Sequence, residues 1–199
     1  MKQFRIVCFV FFLICFFSPV HTAFASKVQD QLKGTLDQIL EILRDPALKG
    51  EESVEKRRSL LRKLIYERFD FAKMSKYCLA KHWKKRSEKE QKIFIELFGK
   101  LLEQTYVSKI ESYSNEKVVF LKEYVKKKKA QVNTKVLTDT VEIPINYRMS
   151  QAEDGDWNIY DVIIEGASLV SNYRSQFDQI LQKQSFEKLI EDLKKKIET

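Results

Sequence analysis

The chain has 199 residues, with 36 Lys and Arg against 28 Asp and Glu, two histidines, three cysteines and a net charge of +8. Only Cys78 and His82 fall after residue 25, so the downstream chain cannot assemble the Cys/His cluster of a zinc site or close an internal disulfide. Lys and Glu are interleaved rather than blocked, which describes a solvated surface before it describes an electrostatic site.

Lys2 and Arg5 precede the apolar run Ile6 to Phe17, and Ala23-Phe24-Ala25 follows with the small-x-small pattern of a cleavage site. The run is about a dozen residues, short of the roughly 18 to 20 that a spanning helix needs, and Pro19 follows it. A secretory signal peptide over residues 1–25 is expected, releasing residues 26–199 outside the cytoplasm. Lipidation is disfavoured because bulky Phe12-Leu13-Ile14 precede Cys15. A mature chain of this length buries roughly 70% of its unfolded surface, enough for one compact domain without disulfides.

Val28, Leu32, Leu36, Ile39, Leu40 and Leu43 recur at helical spacing, and Asp45-Pro46 ends that helix because the proline ring disfavours the α conformation before it. A second helix is predicted over Glu52–Arg68. A short third helix starts at Asp70, a residue able to cap free N–H groups, with Phe69 and Met74 as a hydrophobic staple. Ser87-Glu88-Lys89-Glu90 is a capping box opening a long helix to about Tyr113. That helix carries too many apolar residues for one narrow stripe, so it must be covered on more than one side.

From Val118 the period changes to two. Val118–Val125, Val132–Val136, Val141–Met149 and Trp157–Ile164 read as antiparallel strands with one buried face. Turns fall at Lys126–Lys129, Thr138–Thr140 and Glu153–Asp156. Pro144 removes a ladder donor, which places it at a sheet edge or a bulge. Helical spacing returns after Gly166. The class is α+β: a curved antiparallel sheet of about four strands, a meander, covered by helices on one face.

Catalytic chemistry is sparse. His82 lies in the basic segment Lys81–Arg86 and suits a structural or surface role. Gly166-Ala167-Ser168-Leu169-Val170 lacks the second glycine of a nucleophile elbow, and Ser168 is better explained as a helix cap. Asp161 and Glu165 lack a third partner as an acid/base pair, so surface or sheet-edge roles are favoured. Cys78 reads as a small buried residue. No catalytic residue, metal or cofactor is expected. Lys126–Lys129 reads as a solvated turn, with docking on an acidic membrane surface or an acidic protein as the competing reading.

Three stretches then carry a resemblance: Phe69-Asp70-Phe71-Ala72-Lys73-Met74 through Leu79 to Trp83, Ile143-Pro144-Ile145-Asn146-Tyr147-Arg148, and above all Trp157 through Phe177. They resemble the toluene-tolerance family, whose members are periplasmic phospholipid-binding proteins of the Mla transport system. Ala80 stands where many members have Gly, and Asn146 where many have Asp. The resemblance implies a carrier that moves phospholipid across the periplasm of a Gram-negative bacterium. Its implied partners are an outer-membrane lipoprotein–porin complex and an inner-membrane ABC transporter with an MCE-domain subunit, and its implied role is to maintain outer-membrane asymmetry.

Two acyl chains of about 30 methylenes represent on the order of 25 kcal/mol of burial, so a deep apolar cavity between sheet and helices is required. The expected walls are Phe94, Phe98, Leu101, Leu102 and Tyr106 on the long helix, Val136, Ile143, Ile145 and Tyr147 on the strands, and Val162, Ile164, Leu169, Val170, Tyr173 and Phe177 beyond them. Sequence does not separate such walls from ordinary core. The headgroup is expected near Arg148, Arg174 or His82, and a charge at Leu102 or Val170 is expected to leave a foldable, lipid-free protein. A hopanoid carrier, a lipid-free adaptor or chaperone, and a periplasmic enzyme with a polar cavity around Asp161 or Glu165 remain as alternatives.

Overall fold

A computed structural model describes residues 26–113 and 116–198; the expected signal segment lies outside the described residues. Helices α1 (Lys27–Arg44), α2 (Val54–Arg68), α3 (Phe71–Leu79) and α4 (Glu88–Glu111) precede strands β1 (Lys117–Lys126), β2 (Lys129–Leu137), β3 (Glu142–Gln151), β4 (Trp157–Ile164) and β5 (Ala167–Ser168). Helices α5 (Leu169–Lys183) and α6 (Phe186–Glu198) close the chain. The strands pair in sequence order, all antiparallel. The meander matches expectation. The two-residue β5 adds to it through a hairpin turn in which Glu165 and Gly166 both have positive φ, the conformation a tight primed turn needs.

Local chemistry sets the boundaries. The Ser26 hydroxyl accepts the Val28 N–H and Asp70 accepts the Lys73 N–H, while Ser87 and Glu90 form the reciprocal capping box. Asp45 is extended at ψ 115°, so α1 stops before Pro46. Alpha-helix α3 ends at Ala80, a non-glycine residue with φ 45° and ψ −113°. Register shifts at Leu121 in β1 and Tyr160 in β4 bend the sheet.

Pro144 departs from expectation. It lies in β3, an interior strand, paired with Lys135 and away from both bulges. Its carbonyl accepts the Glu165 N–H at 3.0 Å, so its nitrogen also faces the β4 side, where the β3–β4 ladder has already ended at Ile164. The missing donor therefore breaks no ladder bond.

Two apolar cores form. Val28 and Leu32 of α1 pack on one face of the sheet against Val132, Met149, Trp157 and Ile159. Helices α3 to α6 form the other, around Met74, Cys78, Phe94, Phe98, Phe177 and Leu189. Its aromatic rings meet edge to face, with Phe94–Phe177 centroids at 5.4 Å and Phe98–Tyr173 at 5.2 Å.

Candidate functional site

Between these cores lies a cavity of about 230 Å³. Helix α1 reaches over it because its first turns are tied down. Glu123 of β1 accepts the Ser26 hydroxyl and the Gln29 N–H, and Gln31 bridges the Trp157 N–H to the Asp156 carboxylate. Beyond that anchorage Leu36, Ile39, Leu40 and Leu43 line the space, with Leu36 also packed against the sheet core. Helix α2 adds Leu61, Ile65 and Tyr66, and the α2–α3 junction adds Phe69, Phe71 and Met74. Gly99 admits the Tyr66 ring: a Cβ there would stand 2.8 Å from the Tyr66 hydroxyl. Burial raises the phenol pKa of Tyr106, Tyr113 and Tyr147, so these rings line the cavity uncharged.

Of the expected wall residues, Leu102, Tyr106, Val136, Ile145, Tyr147, Val162, Ile164 and Leu169 border this cavity. Phe94, Phe98, Leu101, Val170, Tyr173 and Phe177 do not; they belong to the helical core, and Leu101, Tyr173 and Phe177 also border a separate recess among α4, α5 and α6. The physical reason is the breadth of α4: its Phe94–Phe98–Leu101 ridge meets α5 and α6, while the adjacent Leu102–Tyr106–Ile110 ridge meets the cavity. Ile143 packs at the margin of the sheet core and is not on the wall. Val170, 3% exposed, lies in the helical core and off the cavity, so a charge there has no open space to face. The lining supplied by α1 and α2 was missed. Its signal was in plain view: the α1 stripe runs on to Leu43, about two turns past Leu36, the last of its residues packed on the sheet core.

The expected headgroup residues lie elsewhere. His82 Nε2 is 2.7 Å from Asp178, Arg174 donates to the Tyr77 carbonyl at 2.8 Å, and Arg148 donates to Asp161 at 3.0 Å. The charged side chains bordering the cavity are instead Arg58, Arg62, Glu103, Lys109 and Glu116. Two ion-pair clusters join α2 to α4 there. Glu111 accepts Arg57 Nε at 2.9 Å and Arg58 Nη2 at 2.9 Å, and Glu103 accepts Arg62 Nε at 2.9 Å. Burial alone would raise the Glu111 pKa, but hydrogen bonds from Arg58 and Arg57 outweigh it and hold the carboxyl below its usual range.

Asp161 corrects the surface or sheet-edge expectation. It is 1% exposed, and its carboxylate accepts Arg148, the Ser168 hydroxyl at 2.8 Å and the Val170 N–H at 3.1 Å. It locks β4 to the start of α5. Ser168 also accepts the Ser171 N–H, so it caps α5 as expected. Among the described residues no group of three His, Cys, Asp or Glu side chains is placed to hold a metal, and no helix is long and apolar enough to cross a membrane.

Fold and site define an α+β protein built around an apolar cavity with a charged rim. The family model described as MlaC protein matches residues 33–195, and the chain belongs to that family. Over 117 residues it is 26% identical to the intermembrane phospholipid transport system binding protein MlaC of Haemophilus influenzae; the match spans 56% of this chain and 55% of that protein, about half its length. The fold is shared with the phospholipid-binding protein from Ralstonia solanacearum, solved in complex with a phospholipid. That match has a TM-score of 0.78 at 23% identity and covers 86% of this chain and 97% of the other.

Proposed function

We propose that residues 26–199 form one phospholipid-carrying domain, exported to the periplasm by a cleaved signal over residues 1–25, and that it acts by binding rather than by catalysis. The observation that carries this reading is the apolar cavity between sheet and helices. Family membership and the lipid bound in the Ralstonia solanacearum protein support it. The acyl chains would lie against Leu36, Ile39, Leu102, Tyr106, Ile145 and Val162.

A lipid drawn from a bilayer already has its chains out of water, so extraction is close to balanced. Directionality must then come from partners. We assign that role to an inner-membrane ABC transporter with an MCE-domain subunit and an outer-membrane lipoprotein–porin complex, between which the carrier moves lipid and maintains outer-membrane asymmetry. Native mass spectrometry of the protein purified from the periplasm, followed by denaturing extraction, tests the reading. A stoichiometric adduct of phospholipid mass is expected. A bare protein that also takes no lipid from vesicles would refute it.

A further inference from the structure

We propose that Arg58, Arg62 and Lys109 form a phosphate-binding rim at the cavity, which holds the phosphodiester of a lipid whose chains occupy the interior; this rests on the carrier reading above. All three border the cavity. Arg58 and Arg62 are four residues apart on α2 and so share one helix face, while Lys109 approaches from α4.

Of the carboxylates beside them, Glu111 and Glu103 are already engaged, while Glu116 also borders the cavity. Glu111 takes both Arg57 and Arg58, and Glu103 takes two nitrogens of Arg62. Arg57 has little left to offer, since its Nη1 donates to the Leu48 carbonyl. Arg58 and Arg62 each commit only Nε and Nη2, which leaves Nη1 without an acceptor among the described residues. The Lys109 ammonium has no ion-pair partner among the described residues. The arginine side chains are 35% and 47% exposed, so an incoming group can reach them.

The rim thus presents unspent N–H donors at the edge of an apolar chamber. A phosphodiester is the complement: it is anionic, it accepts and does not donate, and its paired oxygens fit a guanidinium fork. Glu103 and Glu111 hold the two forks in place before the lipid arrives, which limits the ordering cost of binding.

The test loads delipidated protein from phosphatidylglycerol vesicles doped with diacylglycerol of identical acyl chains. Native mass spectrometry reads the ratio of the two bound lipids, normalised to vesicle composition. Comparing that ratio between wild type and variant cancels the cost of leaving the membrane, which is the same for both proteins. Arg58→Gln is expected to lower the ratio about tenfold, the scale of one charge-assisted hydrogen bond. Lys109→Gln, which removes no ion pair and so cannot unfold the chain that way, is expected to lower it severalfold. An unchanged ratio in folded Lys109→Gln and Arg58→Gln overturns the rim. Uptake of neither lipid overturns the carrier reading as well as the rim. Inorganic phosphate added at constant ionic strength separates the sources: protection of the lipid-free protein against heat that Arg58→Gln abolishes, without any preference for phosphatidylglycerol, would make this a free-anion site and overturn the proposal.

Discussion

At the scale of single residues, Ala80 shows local strain that sequence comparison only hinted at. With φ 45° and ψ −113° it occupies backbone space that favours glycine, at a cost to an alanine of about 1–3 kcal/mol. Glycine there forfeits about 0.4–1 kcal/mol through the more flexible unfolded chain. The methyl is exposed, so no packing is lost. Ala80→Gly is therefore expected to stabilise the protein by about 1 kcal/mol, seen as a higher urea midpoint with an unchanged slope. A lower midpoint would mean that the turn holds alanine without strain. Asp161 teaches the opposite lesson: an acidic residue beside a potential nucleophile becomes a structural clasp once three donors converge on it.

At the scale of elements, α4 serves two environments through two ridges. Phe98→Ala opens solid packing among Tyr173 and Phe177 and is expected to cost about 3–5 kcal/mol. Leu102→Asp faces the cavity and is expected to give a folded protein that carries no extractable lipid; lipid retained by that folded variant would remove Leu102 from the binding wall. The 3₁₀ segment Ala80–Lys85 is tethered to α5 by Asp178, which hydrogen bonds from Lys81 and His82 hold at a pKa of about 2, below its ordinary 3.8. A depressed carboxyl contributes fully above its unfolded pKa and loses that contribution as pH falls through the folded value. The difference in melting temperature between wild type and Asp178→Asn should therefore persist down to about pH 4 and disappear toward pH 2. A difference that survives at pH 2 would show that packing, not charge, makes the tether.

At the scale of the whole molecule, Cys78 reports on the helical core. It is 1% exposed, and burial pushes its thiol up to about 12. The folded protein at pH 8 should resist alkylation by iodoacetamide and react fully in denaturant. On the proposed carrier reading, loading with phospholipid should stabilise the folded state and slow labelling further. Rapid labelling of the folded protein would show the helical core opening on its own, independently of the cavity.

Sequence alone determined the α+β class, the meander, the helix caps at Asp70, Ser87 and Ser168, and the family resemblance. Each is written in short-range periodicity, in the chemistry of a single cap, or in contiguous motifs. Tertiary structure alone decided that Phe94 and Val170 meet protein while Leu36 and Leu102 meet open space, that Pro144 falls where its ladder has ended, and that Arg58 rather than Arg148 borders the cavity. An apolar side chain leaves water for the same gain whether a neighbouring helix or a void receives it, so hydrophobicity marks the faces that must be covered. What covers them depends on how helices distant in sequence are pinned, here by Glu123 and Gln31 at one end of α1 and by Glu103 and Glu111 across α2 and α4.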